Sequence, residues 1–368
     1  MRRQWSGVAM RILHLLNHTR RLNGHVHAAI DLACAQKLMG HDVAVASDGG
    51  DFTSLLTSRG IEILHVPHGR SPFQILRGVS RLGSVVRTWR ADLVHAHMMT
   101  SALLASPVCA MAGIPLVTTV HNAFEKSAVL MGLGTRIIAV SEAVGRSMQR
   151  RGLPASRLRT VLNGTIGSVR FAGKERGPKN LEHPAVVFMG GLHPRKGLPD
   201  LLRAFDSLFL RRPDARLYIL GGGPHEDEYR SLAASMTCRP AVIFVGALDE
   251  PFPYLAGADI FVLPSLADPA PLVLPEAREA GCAIIATNVD GIPELLEGGQ
   301  AGILVPPGDP ARLAEELIRL IEEPERLGEW RARSQINIEH LRIERVARET
   351  LEIYREAFQS RRRKRSLS

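Results

Sequence analysis

Short apolar runs alternate along this chain with longer stretches of helical spacing. Residues 10–16 form the first run and a polar loop follows at 17–24. A helical pattern then carries Ile30, Leu32, Ala33 and Leu38 to a stop at Gly40, and residues 42–46 form the next run. Strand, loop, helix and strand in this order make a βαβ unit, which predicts parallel strands. The alternation predicts further strands at 61–66, 92–97, 116–121, 136–140 and 159–162, with helices at 73–89, 100–112 and 142–151. That is one doubly wound domain. Residues 173–183, rich in Gly, Lys, Asn and Pro, read as a linker. A second alternation starts at Ala185, with strands at 185–189, 217–220, 242–244, 258–263 and 283–287. Its helices are expected at 198–209, 226–235 and from Leu274 to the capping glycine Gly281, and the strand at 283–287 leads to a turn at Asp290-Gly291 and another helix start at Pro293-Glu294. A last helix is expected near 344–358.

The chain is therefore expected to be α/β throughout: an N-terminal Rossmann-like domain over 10–172, a C-terminal one over 184–343, a helix at 344–360 that can cross back to the first domain, and a basic tail at 361–368. A length of 368 residues suits two domains, each with its own core. Residues 98–120 carry no charge, but Pro107 and the break Gly113-Ile114-Pro115 make them a helix, a turn and a buried strand rather than a membrane span. The first nine residues hold no apolar stretch of the kind a secretory signal needs. Cys34, Cys109, Cys238 and Cys282 lie far apart, so neither a disulfide frame nor a metal site is expected, and the reading is cytoplasmic.

Charge adds a partner class. Residues 1–170 hold 20 basic against 8 acidic side chains, while residues 171–368 hold 26 against 29 and end in Arg361-Arg362-Arg363-Lys364-Arg365. A strongly basic half suits a polyanionic partner: an anionic bilayer, a phosphorylated acceptor or nucleic acid. The basic half lacks interleaved aromatics, which argues against nucleic acid.

Candidate chemistry concentrates at predicted strand ends, where open parallel sheets bind ligands. Asp268 lies in the loop after the strand at 258–263, and Glu276 eight residues later in the next helix; they can accept hydrogen bonds from sugar or ribose hydroxyls, or serve only as a turn cap and a solvated helix residue. The loop Gly190-Gly191-Leu192-His193-Pro194-Arg195-Lys196-Gly197 joins a strand to a helix, a setting that can cradle a diphosphate with a lysine as point charge. Gly221-Gly222-Gly223-Pro224 is no dinucleotide fingerprint, because Glu226 stands where the last glycine would be. His121-Asn122 ends a strand. His95 and His97 would share a strand face, but with only Asp92 nearby and no third ligand, no metal is expected.

Taken together, the spaced carboxylates Asp268 and Glu276, the segment Gly281-Cys282-Ala283-Ile284-Ile285-Ala286-Thr287 and the turn Gly291-Ile292-Pro293-Glu294 resemble the nucleotide-sugar site of the retaining GT-B glycosyltransferases of family four. The resemblance covers nearly all of residues 10–358 and is weakest between Gly50 and Arg90. It implies two Rossmann-like domains facing a central cleft, and transfer of a sugar from a nucleoside-diphosphate sugar to a hydroxyl of a lipid-linked or surface glycan precursor. It implies no cofactor. By the same resemblance Glu276 binds ribose hydroxyls, Asp268 a sugar hydroxyl and Lys196 the diphosphate, while His121 orients sugar or phosphate. Gly191, Arg195, Gly222, Pro271 and Leu272 join the donor side, and Gly24 and Asn122 the acceptor side; Ser141 and Asn163-Gly164 shape loops. The family usually has glutamate at Asp268, an arginine at Gly191, and a glycine pair where this chain keeps Gly24 alone. A nucleotide-sugar epimerase of the same fold, or a non-catalytic nucleotide-sugar-binding subunit, are the alternative functions. The basic half and tail add an expected peripheral contact with the inner face of a membrane.

Overall fold

The structure, a computed structural model, describes residues 9–21, 23–69 and 71–366, with side chains as far as Ser360. The chain forms two compact units: residues up to Arg170 together with those from Arg342 onward, and residues 171–341.

The first unit opens with β1 (Arg11–Leu15), α1 (Gly24–Leu38), β2 (Asp42–Ser47), α2 (Thr53–Ser58), β3 (Glu62–His65) and α3 (Pro72–Thr88). It continues with β4 (Leu93–Ala96), α4 (Met99–Ala112), β5 (Leu116–Val120), β6 (Arg136–Ala139), α5 (Glu142–Arg150) and β7 (Leu158–Thr160). All seven strands are parallel, in the order β3-β2-β1-β4-β5-β6-β7. The order reverses between β1 and β4, so the loops after these two strands splay apart at their carboxyl ends. The uncharged stretch 98–120 is α4, a turn at Gly113 and β5. Among the described residues no helix is long and apolar enough to cross a membrane. The short helix α2 was not expected; six residues give too little periodicity to register.

The second unit runs β8 (Ala185–Met189), α6 (Leu198–Phe209), β9 (Arg216–Leu220), α7 (Glu226–Ala234), β10 (Val242–Gly246), α8 (Phe252–Ala256), β11 (Ile260–Leu263) and α9 (Val273–Glu279). Then come β12 (Ala283–Thr287), α10 (Ile292–Leu295), β13 (Ile303–Val305), α11 (Pro310–Glu322) and α12 (Pro324–Ser334). Six parallel strands follow the order β10-β9-β8-β11-β12-β13, reversing between β8 and β11. The continuous apolar runs of β8, β11 and β12 are buried on both faces, as parallel sheets require. Phe188, Leu201, Phe205, Leu217, Val262, Ile285 and Leu317 form the centre of the core. The sequence reading did not assign α8, β13, α11 or α12.

The chain then returns to the first unit as α13 (Ile343–Ser366). Leu351, Ile353, Tyr354 and Ala357 of this helix pack on Met10, Ile12, Leu93, Val117 and Ile138. Glu356 holds Arg136 at 3.1 Å and Arg159 at 2.8 Å beside that contact. The backbone of the basic run 361–365 belongs to α13, but its side chains lie outside the described residues.

Candidate active site

In the second unit the candidate residues gather at the reversal between β8 and β11. The glycine-rich loop leaves β8, and the loop bearing Asp268 leaves β11. Arg195 ties the two loops through its backbone: its carbonyl accepts from the N–H of Leu266 at 2.7 Å. Gly197 makes the close approach possible. It has φ +67°, and a Cβ there would lie 1.9 Å from the Pro264 carbonyl oxygen, so no larger residue fits without moving backbone.

This framework brings Lys196 Nζ within 2.5 Å of Asp268 Oδ2, both side chains largely buried. Ser265 Oγ donates to the same oxygen at 3.2 Å. Asp268 Oδ1 receives no hydrogen bond among the described residues, which leaves it open to a ligand hydroxyl. The Asp290-Gly291 turn clasps the backbone of Asp268 from both sides. The Asp268 N–H donates to Asp290 Oδ2 at 2.8 Å, and the Gly291 N–H donates to the Asp268 carbonyl at 3.3 Å. Ser265 and Asp290 were not among the residues expected to matter. The Asp-Gly turn was legible, but its target was not.

Glu276 lies in α9, almost wholly buried, and the buried Pro271 and Leu272 make the turn that leads into that helix. The helix is anchored by Arg278, whose guanidinium is fully buried. It donates to the carbonyls of Ser334 and Leu295, each at 2.8 Å, to the Ile336 carbonyl, and to Glu297 Oε1 at 2.8 Å. Burial pulls the Arg278 pKa down, and the Glu297 carboxylate opposes that shift.

The Gly221-Gly222-Gly223 cluster is a packing device. The Leu192 N–H donates to the Gly222 carbonyl at 3.0 Å, and a Cβ on Gly221 (φ +133°) would lie 2.0 Å from the Gly190 oxygen. Gly191 is less restricted: an added Cβ would meet the His193 ring at 3.1 Å. The Arg195 side chain is exposed.

In the first unit, Gly24 is the first residue of α1, exposed and with nothing within 4 Å of an added Cβ. Asn122 is exposed, and Ser141 caps α5 by accepting from the Val144 N–H at 3.3 Å. His121 is half-buried just beyond β5. Burial, reinforced by His25, lowers its pKa to about 3, so its imidazole is neutral at neutral pH.

Beneath it lies a cluster that the sequence reading did not foresee. Parallel register sets His14 of β1 beside His95 of β4, and His14, His95 and His97 then lie with ring nitrogens within 4.8 Å of one another. The expectation that no third candidate ligand stands near His95 and His97 is thus corrected, because His14 arrives by strand pairing, which no local spacing reveals. Every ring nitrogen of the three has a hydrogen-bonding partner within the protein. Burial lowers the His14 pKa to about 4 and those of His95 and His97 well below the ordinary value.

Two family models match the chain: "Glycosyltransferase Family 4" over residues 22–165 and "Glycosyl transferases group 1" over residues 183–323. The glycogen synthase of Mycobacterium tuberculosis is 28% identical, over 82% of this chain and 83% of that protein. The phosphatidyl-myo-inositol mannosyltransferase of Mycolicibacterium smegmatis is 27% identical, over 88% of each. The fold is similar to that of HepE from Anabaena, solved in complex with UDP and glucose, with a TM-score of 0.79 at 19% identity over 93% of this chain and 98% of that one.

Two predictions follow from this geometry. Gly197→Ala should lower the melting temperature, because left-handed backbone costs a residue with a Cβ about 1–2 kcal/mol before the clash with Pro264 is added. Gly24→Ala should be tolerated; equal melting temperatures for the two variants would contradict the loop-packing account.

The second concerns acid. A histidine whose folded pKa is depressed contributes full stability above its unfolded pKa, ordinarily 6.5, and loses it as pH falls toward the folded value of about 4 for His14. Denaturant midpoints should therefore fall between about pH 6.5 and 5, where carboxylates remain ionised. A midpoint unchanged over that interval would show that these rings are not held neutral.

Proposed function

The chain belongs to the group 1 glycosyltransferases of family 4, and from that membership we propose that it moves a sugar, with retention, from a nucleoside-diphosphate sugar to a hydroxyl of a glycan or lipid-linked glycan precursor. The observation that carries this reading is the pairing of Lys196 with Asp268 at the strand-order reversal of the second unit. A lysine ammonium has three N–H donors, and Asp268 takes one. The others serve phosphate oxygens of a donor seated on the glycine-rich loop. As the bond from the anomeric carbon to the diphosphate breaks and the acceptor hydroxyl attacks, negative charge grows on the leaving oxygen, and the fixed cation stabilises it. Asp268 Oδ1 accepts a hydrogen bond from a sugar hydroxyl and Glu276 from the ribose hydroxyls. His121, of the first unit, meets a substrate group. The relatives named as glycogen synthase and mannosyltransferase, and the similar fold solved with UDP and glucose, support this class of reaction.

The test is a thermal-shift screen of UDP-, GDP- and ADP-sugars, followed by nucleotide release with and without glycan acceptors, in EDTA. The expected result is stabilisation by one nucleotide-sugar class and acceptor-dependent release that survives EDTA. An isomerised donor, or binding with no turnover under any acceptor, would replace the transferase reading by an epimerase or a binding subunit. In this reading protein cations hold the diphosphate without a metal ion, and loss of activity restored by Mg²⁺ would overturn that part of it.

Glu276→Ala removes a charge-assisted hydrogen bond worth about 1.5–3 kcal/mol, so calorimetry should show nucleotide affinity lower by about ten- to a hundred-fold. Unchanged affinity in the folded variant would move the ribose site elsewhere.

Where the family carries an arginine this chain has Gly191, and the Arg195 guanidinium is the substitute on the same loop; its planar fork suits phosphate. Arg195→Ala should lower kcat more than it raises KM, because the charge matters most as the diphosphate leaves. Unchanged kinetics would leave Lys196 as the loop's single working cation.

A further inference from the structure

Among the buried polar side chains of the first unit that no step above uses are His14, Gln36, His95, His97 and Tyr354, each 3% exposed or less. They form one unbroken run. Thr119 Oγ1 lies 2.7 Å from His95 Nε2, and the Tyr354 hydroxyl 2.6 Å from His95 Nδ1. Gln36 Nε2 reaches that hydroxyl at 3.2 Å, and Gln36 Oε1 lies 2.8 Å from His14 Nε2. His14 Nδ1 meets His97 Nε2 at 2.9 Å, and His97 Nδ1 meets His121 Nε2 at 3.2 Å.

A neutral imidazole carries one N–H and one lone pair, and each nitrogen-to-nitrogen contact needs one hydrogen between its two partners. Burial keeps these rings neutral. The direction of donation therefore has to be the same along the whole run. Its sense is set at Tyr354. A neutral His95 can accept only once, and a phenol is a far stronger acid than the Thr119 alcohol, so the phenol takes the donor role. The short 2.6 Å contact is the length of an O–H donor bond. The Tyr354 oxygen then accepts from Gln36 Nε2, which turns Gln36 Oε1 toward His14. His14 must carry its hydrogen on Nε2, and so, in turn, must His97 and His121. What remains is the Nδ1 lone pair of His121, which has no partner among the described residues.

We propose that Tyr354, Gln36, His14 and His97 position His121 by fixing its tautomer, so that Nδ1 is presented as an acceptor to a substrate hydroxyl. The hydroxyl's identity rests on the transferase reading; the tautomer does not. A phosphate oxygen offers no hydrogen to such a lone pair, so His121 is assigned to the sugar or acceptor hydroxyl and not to the diphosphate.

The first test needs no substrate. Long-range proton–nitrogen correlation spectra of the full ¹⁵N-labelled chain at neutral pH should show His14, His97 and His121 all as Nε2–H tautomers, with His121→Gln used to assign its signals. His121 found as Nδ1–H, or as an imidazolium, would overturn the proposal whatever the enzyme transfers. In Tyr354→Phe, Gln36 is free to turn and His121 should give mixed tautomers; an unchanged His121 spectrum would also overturn it. The wild-type spectrum decides the matter if that variant does not fold.

The second test is kinetic. Gln36→Met should lower kcat/KM by about tenfold, the effect of one misdirected hydrogen bond. It should cost nothing further in a His121→Ala background. The same loss in both backgrounds would reduce Gln36 to packing and overturn its effect on His121.

Discussion

Both units depend on a single constraint of parallel sheets: the strand order reverses once, between β1 and β4 in one sheet and between β8 and β11 in the other. Helices on either side of a reversal leave opposite faces, so the loops at the strand ends part and backbone there is open to ligands. Every residue discussed for chemistry sits on such a loop or supports one. Lys196 and Asp268 come from the two strands that flank the reversal in the second sheet. His14 and His97 hold the matching position in the first, and His121 lies one strand further along.

The two units bury polarity in different ways. The second uses full charges, and each has a partner. Lys196 faces Asp268, and Arg278 is met by a carboxylate and three carbonyls. A buried charge left without such partners would cost several kcal/mol. The first unit also buries an ion pair, Asp31 with Arg170 at 2.7 Å, but beneath His121 it uses neutral rings, whose hydrogen bonds are directional and tolerate no extra proton. A charge pair can release one partner to an arriving phosphate. A neutral network instead passes a fixed hydrogen-bond polarity from the core to the surface.

Much of this was legible in the sequence, and the failures are informative. The alternation of apolar runs with helical spacing placed nearly every strand of both sheets, because those periods are local properties of the backbone. It missed α2, α8, β13, α11 and α12, of which α2, α8 and β13 are too short to display a period. The spacing of Asp268 and Glu276 and the Asp290-Gly291 turn were visible for the same reason, as loop chemistry acts over a few residues. The lone glycines were visible, but not their purpose: Gly197 is required by a carbonyl from another loop, 1.9 Å from where its side chain would begin.

The sequence by itself thus determined the fold class, the family and the residues of the glycine-rich loop after β8, since each rests on short-range pattern. Only the tertiary structure decided which of them meet. Lys196 reaches Asp268 across 72 positions, and Tyr354 reaches His95 across 259. His14 joins His95 because a register of parallel strands puts them side by side. Contacts of that range come from sheet order and from a C-terminal helix returning to the first unit, and neither leaves a trace in local spacing.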